Sequence, residues 1–93
     1  MRFEVKKVEN CFMDAENYEY RIEVFGNEFI ELLKLLGAEA SINDMLRRPS
    51  FKAELDNGVQ LKGLLAKDVI KVGYVLGHAA EQKAAFEHWM AGL

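Results

Sequence analysis

Residues 51–65 read FKAELDNGVQLKGLL, and the turn at the centre of this stretch decides the fold. Asp56-Asn57-Gly58 separates two arms in which apolar and polar side chains alternate, which is a hairpin signal. A two-residue Asn57-Gly58 turn would set Leu55 opposite Gln60 and Glu54 opposite Leu61, mixing the faces. A three-residue loop with Gly58 left-handed, a type I turn followed by a bulge, sets Leu55 opposite Val59 and Ala53 opposite Leu61. Lys52, Glu54, Gln60 and Lys62 then share the other face. A slip of one residue turns every side chain over, so the pleat selects the three-residue loop.

Upstream, Tyr18, Tyr20, Ile22 and Val24 alternate with Glu19, Arg21 and Glu23, the period-two pattern of a strand with one wet face. The preceding segment, Arg2 to Met13, changes phase between Val5 and Val8, which a bulge at Lys6-Lys7 reconciles. A loop Ala15-Glu16-Asn17 then pairs Asp14 with Tyr18, Phe12 with Tyr20 and Val8 with Val24. Between the hairpins Asn27 can cap a helix, Glu28 suits its first turn and Gly37 ends it. Ser41 to Asp44 resembles a capping box, which predicts a single helical turn ending at Arg47-Arg48 before Pro49. Val69 to Val75 fits either period, and the β-branched content favours a short strand over Lys71 to Leu76. His78 to Ala91 reads as a helix burying Ala79, Phe86, Trp89 and Met90. The expected fold is α+β: a four- to five-stranded antiparallel sheet built from two hairpins, ββα-ββ(β)α, with two helices on one face.

Composition bounds the class. With 93 residues, 51% hydrophobic and 29% charged, the chain suits one compact domain over 1–93. Its mass predicts a folded surface of ~5,500 Å², with ~64% of the unfolded surface buried. Apolar residues recur throughout, against disorder. The longest uncharged run, Val72 to Ala80, is too short for a membrane span, which needs ~20 residues. Glu4 and Glu9 interrupt any secretory leader. A lone Cys11 fits a reducing, cytoplasmic setting.

Charge is unevenly placed. Residues 1–31 carry eight acids and four bases, whereas residues 47–71 carry Arg47, Arg48, Lys52, Lys62, Lys67 and Lys71 against three acids. Such asymmetry can steer a charged partner. A pI near 5.4 argues against generic nucleic-acid binding.

Catalytic constellations are weak. Cys11 has only His78 and His88 as remote partners, and nothing near it in sequence lowers its pKa. His78 and Glu81 lie one helical turn apart, but a zinc site needs three or four ligands. The glycines lack the strand-loop-helix context of a phosphate loop. Arg47-Arg48-Pro49-Ser50 looks like a basic-directed phosphorylation site, although two arginines ending a helical turn also follow from the helix dipole. No enzyme activity, cofactor or metal is expected.

The positive signal is Phe29 to Leu36, whose apolar residues cover roughly 220° of a helix where about 100° suffices. The second helix or the loop at 38–50 can cover the excess. The functional reading is a protein interface at Ile30, Leu32, Leu35 and Trp89. The expected function is therefore a small non-enzymatic regulator, adaptor or inhibitor that docks onto a larger protein, with a homodimer as a further possibility. The alternative is a nucleic-acid-binding regulator using the six basic residues of 47–71. One further pattern points the same way: Asn57-Gly58, Ala66-Lys67-Asp68-Val69 and Gly73-Tyr74 resemble the hairpin-to-helix stretch of the amino-terminal domain of viral and phage antirepressors. The spacings differ, and the aromatic residues which that family places before Ala-Lys-Asp-Val are absent. The resemblance implies a DNA-associated regulator with Lys67 to Tyr74 helical, against the strand that the residues themselves favour.

Overall fold

The computed structural model describes residues 1–45 and 47–93. In chain order these form β1 (Glu4–Val8), β2 (Ala15–Arg21), α1 (Gly26–Leu35), β3 (Glu39–Asn43), β4 (Ser50–Glu54), β5 (Gln60–Leu64), β6 (Val69–Val75) and α2 (Ala79–Ala91). The β4–β5 turn is the three-residue loop. The Leu55 N–H donates to the Val59 carbonyl at 2.9 Å, the Gly58 N–H donates to the Leu55 carbonyl at 3.0 Å, and Gly58 has φ +91°. Ala53 opposes Leu61 and Lys52 opposes Lys62, so the faces segregate as the pleat demands.

All six strands are antiparallel, in the order β1-β2-β6-β5-β4-β3. After β2 the chain crosses the sheet through α1 to the far edge, and β3 to β6 meander back to pair with β2. Matching alternation explains the closing pair: Tyr18 opposes Val72 and Tyr20 opposes Ile70. Both helices share one core, where Phe29, Ile30 and Leu33 of α1 and Phe86 and Met90 of α2 pack with Tyr20, Phe51, Leu61, Ile70 and Val72. The fold is α+β, with six strands rather than four or five. The stretch Val69–Val75 is a strand, so the helix implied by the antirepressor resemblance does not form.

Helix α1 starts at Gly26 with Phe25 in the capping position, not Asn27, and no side chain caps it. Its start is set by packing: a Cβ at Gly26 would lie 2.3 Å from the Leu64 carbonyl oxygen, and the Gly26 N–H donates to Lys67 O at 2.8 Å. At the other end Gly37 (φ +78°) closes a Schellman motif, in which the Gly37 and Ala38 N–H groups donate to the Lys34 and Leu33 carbonyls.

Two local expectations give way to tertiary pairing. Residues 41–43 belong to β3 instead of opening a helical turn, because Ser41 and Ile42 pair with Lys52 and Phe51 of β4. The Asn43 side chain serves the next turn, its Oδ1 accepting the Met45 N–H at 3.2 Å. The rest of that expected turn includes Leu46, which lies outside the described residues. The first hairpin is also shorter than expected: β1 ends at Val8, unbulged, with Val8 opposite Asn17 and Val5 opposite Tyr20. Phe12 is not in the ladder. Residues 9–14 form a loop with Asn10 and Asp14 left-handed, at φ 62° and 54°. The buried Asn17 amide clamps that loop, since its Oδ1 accepts the Phe12 N–H at 3.1 Å and its Nδ2 donates to the Phe12 carbonyl at 3.2 Å.

Candidate functional site: the open face of the sheet

The helices cover one face of the sheet, and the register determines what the other face displays. Side chains directly opposite one another point the same way. Lys6 opposes Glu19, Glu19 opposes Lys71, Lys71 opposes Lys62, Lys62 opposes Lys52 and Lys52 opposes Ser41. One row of side chains therefore crosses every strand, with three consecutive lysines at its centre. Strands lie ~4.8 Å apart, so the backbones of Lys52 and Lys71 are separated by ~10 Å.

Like charges placed opposite each other are mutually destabilising, and the row manages this in two ways. Glu19 accepts ion pairs from Lys71 and from Lys6, the latter at 3.2 Å. The Lys71 hydrogen bond holds the Glu19 carboxyl below the usual carboxylate range, with Lys6 assisting and burial opposing. Lys62 donates to the Cys11 carbonyl at 2.8 Å, and its ammonium stands 4.9 Å from the centre of the Phe12 ring. The Phe12 side chain packs against Gly73, where a Cβ would come within 2.6 Å of the ring. Gly73 is thus what lets the 9–14 loop rest on the open face. Lys52 and Lys67 form no ion pair among the described residues.

Beside the row a hollow of about 330 Å³ is bordered by Lys52, Lys62, Lys67 and Lys71, with Leu64, Val69 and Ser50 also lining it. Four of the six basic residues singled out in the sequence therefore surround one feature. Arg47 and Arg48 are exposed in the β3–β4 connection, whose Pro49 carbonyl accepts the Leu65 N–H at 3.0 Å. An apolar floor inside a lysine rim suits a partner with carboxylates or phosphates around an apolar group.

The residues expected to form a protein interface, three on α1 and Trp89 on α2, are dispersed. Ile30 is 1% exposed and belongs to the core. Trp89 packs against Phe29 and Phe86, with ring centres 6.0 and 5.6 Å away. Leu32 is half-buried beside Met1, Val24 and Leu93. Only Leu35 points outward, at 81% exposure. The broad apolar arc is thus largely accounted for by the sheet and the second helix.

Cys11 is half-buried in the 9–14 loop, its Sγ 3.8 Å from the Glu9 carbonyl. Among the described residues, no three side chains of metal-ligating type converge. A polar cluster does lie under α2: Tyr20 Oη is 2.5 Å from Tyr74 Oη and donates to Glu87 Oε2 at 2.8 Å, and Lys83 pairs with Glu87 at 2.8 Å. Burial foremost raises the pKa of both phenols above the usual phenol value. With Tyr20 fully buried, this cluster is suited to seating α2 on the sheet.

The lysine row was half visible in the sequence, since the 51–65 hairpin already places Lys52 beside Lys62. Lys71 and Glu19 join it only through the β2–β6 and β5–β6 pairings, for which no local signal exists. Among the described residues, no helix is long and apolar enough to cross a membrane. The chain matches no protein-family model, no curated protein and no solved structure, so the chemistry of this face is what points to a function.

Proposed function

We propose that the protein is a small non-enzymatic binding module, acting as a regulator, adaptor or inhibitor in the cytoplasm, which docks through its open sheet face onto an acidic segment of a larger protein. One observation carries this reading: Lys52, Lys62 and Lys71 stand side by side in register, over a hollow lined by Leu64 and Val69. Clustered like charges of this kind speed encounter with an oppositely charged surface and weaken with added salt. Self-association belongs to the same reading.

The nucleic-acid alternative draws on the same lysines, but the surroundings favour a protein. Glu19 ends the run of lysines on one side, and Glu39 opposes Glu54 on the same face. The ring of Phe12 lies between Gly73 and Lys62 and is not free to stack on a base. A long, regularly charged strand would meet carboxylates, whereas a short acidic peptide with apolar side chains can confine itself to the lysines and the hollow.

The test is titration of a labelled peptide of alternating Glu and Leu, alongside a single-stranded oligonucleotide of matched length. Reversing one charge changes its interaction with a facing carboxylate by about 2 kcal/mol before screening, so Lys52→Glu and Lys71→Glu should each weaken the peptide about tenfold. Tighter binding of the oligonucleotide transfers the face to the nucleic-acid reading. Peptide binding that ignores both substitutions removes the face from consideration.

A further inference from the structure

The sheet ends in two edges of unlike character. Strand β1 presents Glu4, Lys6 and Lys7, the charged kind of edge that discourages further pairing. Strand β3, Glu39-Ala-Ser-Ile-Asn43, has every residue exposed, a single charge and no lysine, proline or bulge. Its backbone polarity follows from the hairpin beside it. Leu55 and Val59 form a hydrogen-bonded pair, so along β4 the N–H and C=O groups of Ser50, Lys52 and Glu54 turn away from β5 towards β3. Their partners Asn43, Ser41 and Glu39 are thereby satisfied. The N–H and C=O groups of Ala40 and Ile42 face outward along the free edge.

We infer that β3 is the contact for a second copy of this chain, joined edge to edge and antiparallel about a two-fold axis at Ser41. Only that register pairs all of β3 with itself. Ala40 of each copy meets Ile42 of the other, and each pair exchanges two hydrogen bonds. Glu39 meets Asn43, so the lone charge never faces its own copy. Ile42, 53% exposed in the single chain, gains a cross-strand neighbour on the helix side. The single chain exposes 6066 Å², about a tenth more than its mass predicts, as expected for a domain with an uncovered element. The pairing deepens the self-association part of the proposed function and requires nothing of the lysines. It also has a consequence for them: Ser41 ends the row, so the paired sheets run Lys71, Lys62, Lys52, Ser41 and then Ser41, Lys52, Lys62, Lys71 of the second copy.

Sedimentation equilibrium of the full chain over a range of concentrations tests this. The expected mass is twice 10.6 kDa at the upper end. Ala40→Pro removes an outward N–H without touching the β3–β4 ladder, a position where proline is tolerated. The dimer loses two hydrogen bonds and should dissociate ~30-fold more readily, with unchanged melting of the dilute monomer. Asn43→Glu sets carboxylates against Glu39 and should also dissociate the pair, and Glu39→Lys combined with Asn43→Glu should restore it. A chain that stays monomeric throughout, or a dimer indifferent to both Ala40→Pro and Asn43→Glu, overturns the inference. Monomeric Ala40→Pro should still bind the acidic peptide, so failure of the dimer and failure of the lysine face are read separately.

Discussion

Removing the Tyr20 hydroxyl tests how the covered face is held together. In the wild type that hydroxyl donates to Glu87 at 2.8 Å and lies 2.5 Å from Tyr74 Oη, so the proton between the two phenols comes from Tyr74. Tyr20→Phe removes a hydrogen bond to a carboxylate, worth ~1.5–3 kcal/mol. It also leaves the buried Tyr74 hydroxyl without an acceptor, at ~1–3 kcal/mol. The minimum is therefore about 2.5 kcal/mol, which for a domain of this size lowers Tm by about 10–20 °C. Tyr74→Phe keeps the Tyr20–Glu87 bond and should cost only about 1 kcal/mol. The double variant leaves no orphaned hydroxyl, and Glu87 keeps Lys83 at 2.8 Å, so its cost should be about 2 kcal/mol, well below the sum of the singles. Thermal and urea unfolding of the four proteins supply the cycle. Equal single effects, or strict additivity, would refute the assignment of Tyr20 as the bridging donor.

Four further outcomes follow from the same geometry. Because burial raises both phenol pKa values, the folded chain holds these protons more tightly than the unfolded chain; stability should therefore fall as pH rises above ~10, and less steeply in Tyr20→Phe/Tyr74→Phe, which pH-dependent urea titration checks. Glu19 has the opposite sign: its lowered pKa contributes stability above its unfolded value of 4.5 that is lost on acidification, so Glu19→Gln should flatten the acid limb, cost about 0.5 kcal/mol at neutral pH, and strengthen binding of the acidic peptide by unmasking Lys71. Gly73→Ala drives a methyl into the Phe12 ring, which overpacking arithmetic puts at ~1–3 kcal/mol, and should expose the 9–14 loop to chymotrypsin; unchanged stability and protection would remove Phe12 from the open face. Leu35→Glu, by contrast, alters a side chain that points into solvent and should change stability by less than about 1 kcal/mol, with no effect on sedimentation.

Residues 51–65 and the alternation over Tyr18–Arg21 are legible from the amino acids alone, because pleat alternation and the left-handed preference of Gly58 are near-neighbour effects, although the strand ends at Arg21 rather than running on to Phe25. The same holds for α2 and for the end of α1 at Gly37, where one residue type satisfies a local backbone need. Phe12 shows where that logic stops. Its apolar side chain fits a ladder position by pattern, yet Asn17 clamps its backbone and Gly73, sixty-one residues away in sequence, provides the bare surface on which its ring lies. β3 is a similar case: Ser41 and Asn43 carry capping chemistry that a turn would use, and pairing with β4 recruits them into a strand. The lysine row depends on tertiary pairing most of all. Lys52 and Lys62 become neighbours through one tight turn, but Lys71, Glu19 and Lys6 join them only because apolar partners on the opposite side of the sheet set the register. Local sequence determined which side chains share a face in the 51–65 hairpin and in β2. The strand at 39–43, the straight course of β1 and the neighbours along the row were decided only by the pairing and packing of the far side.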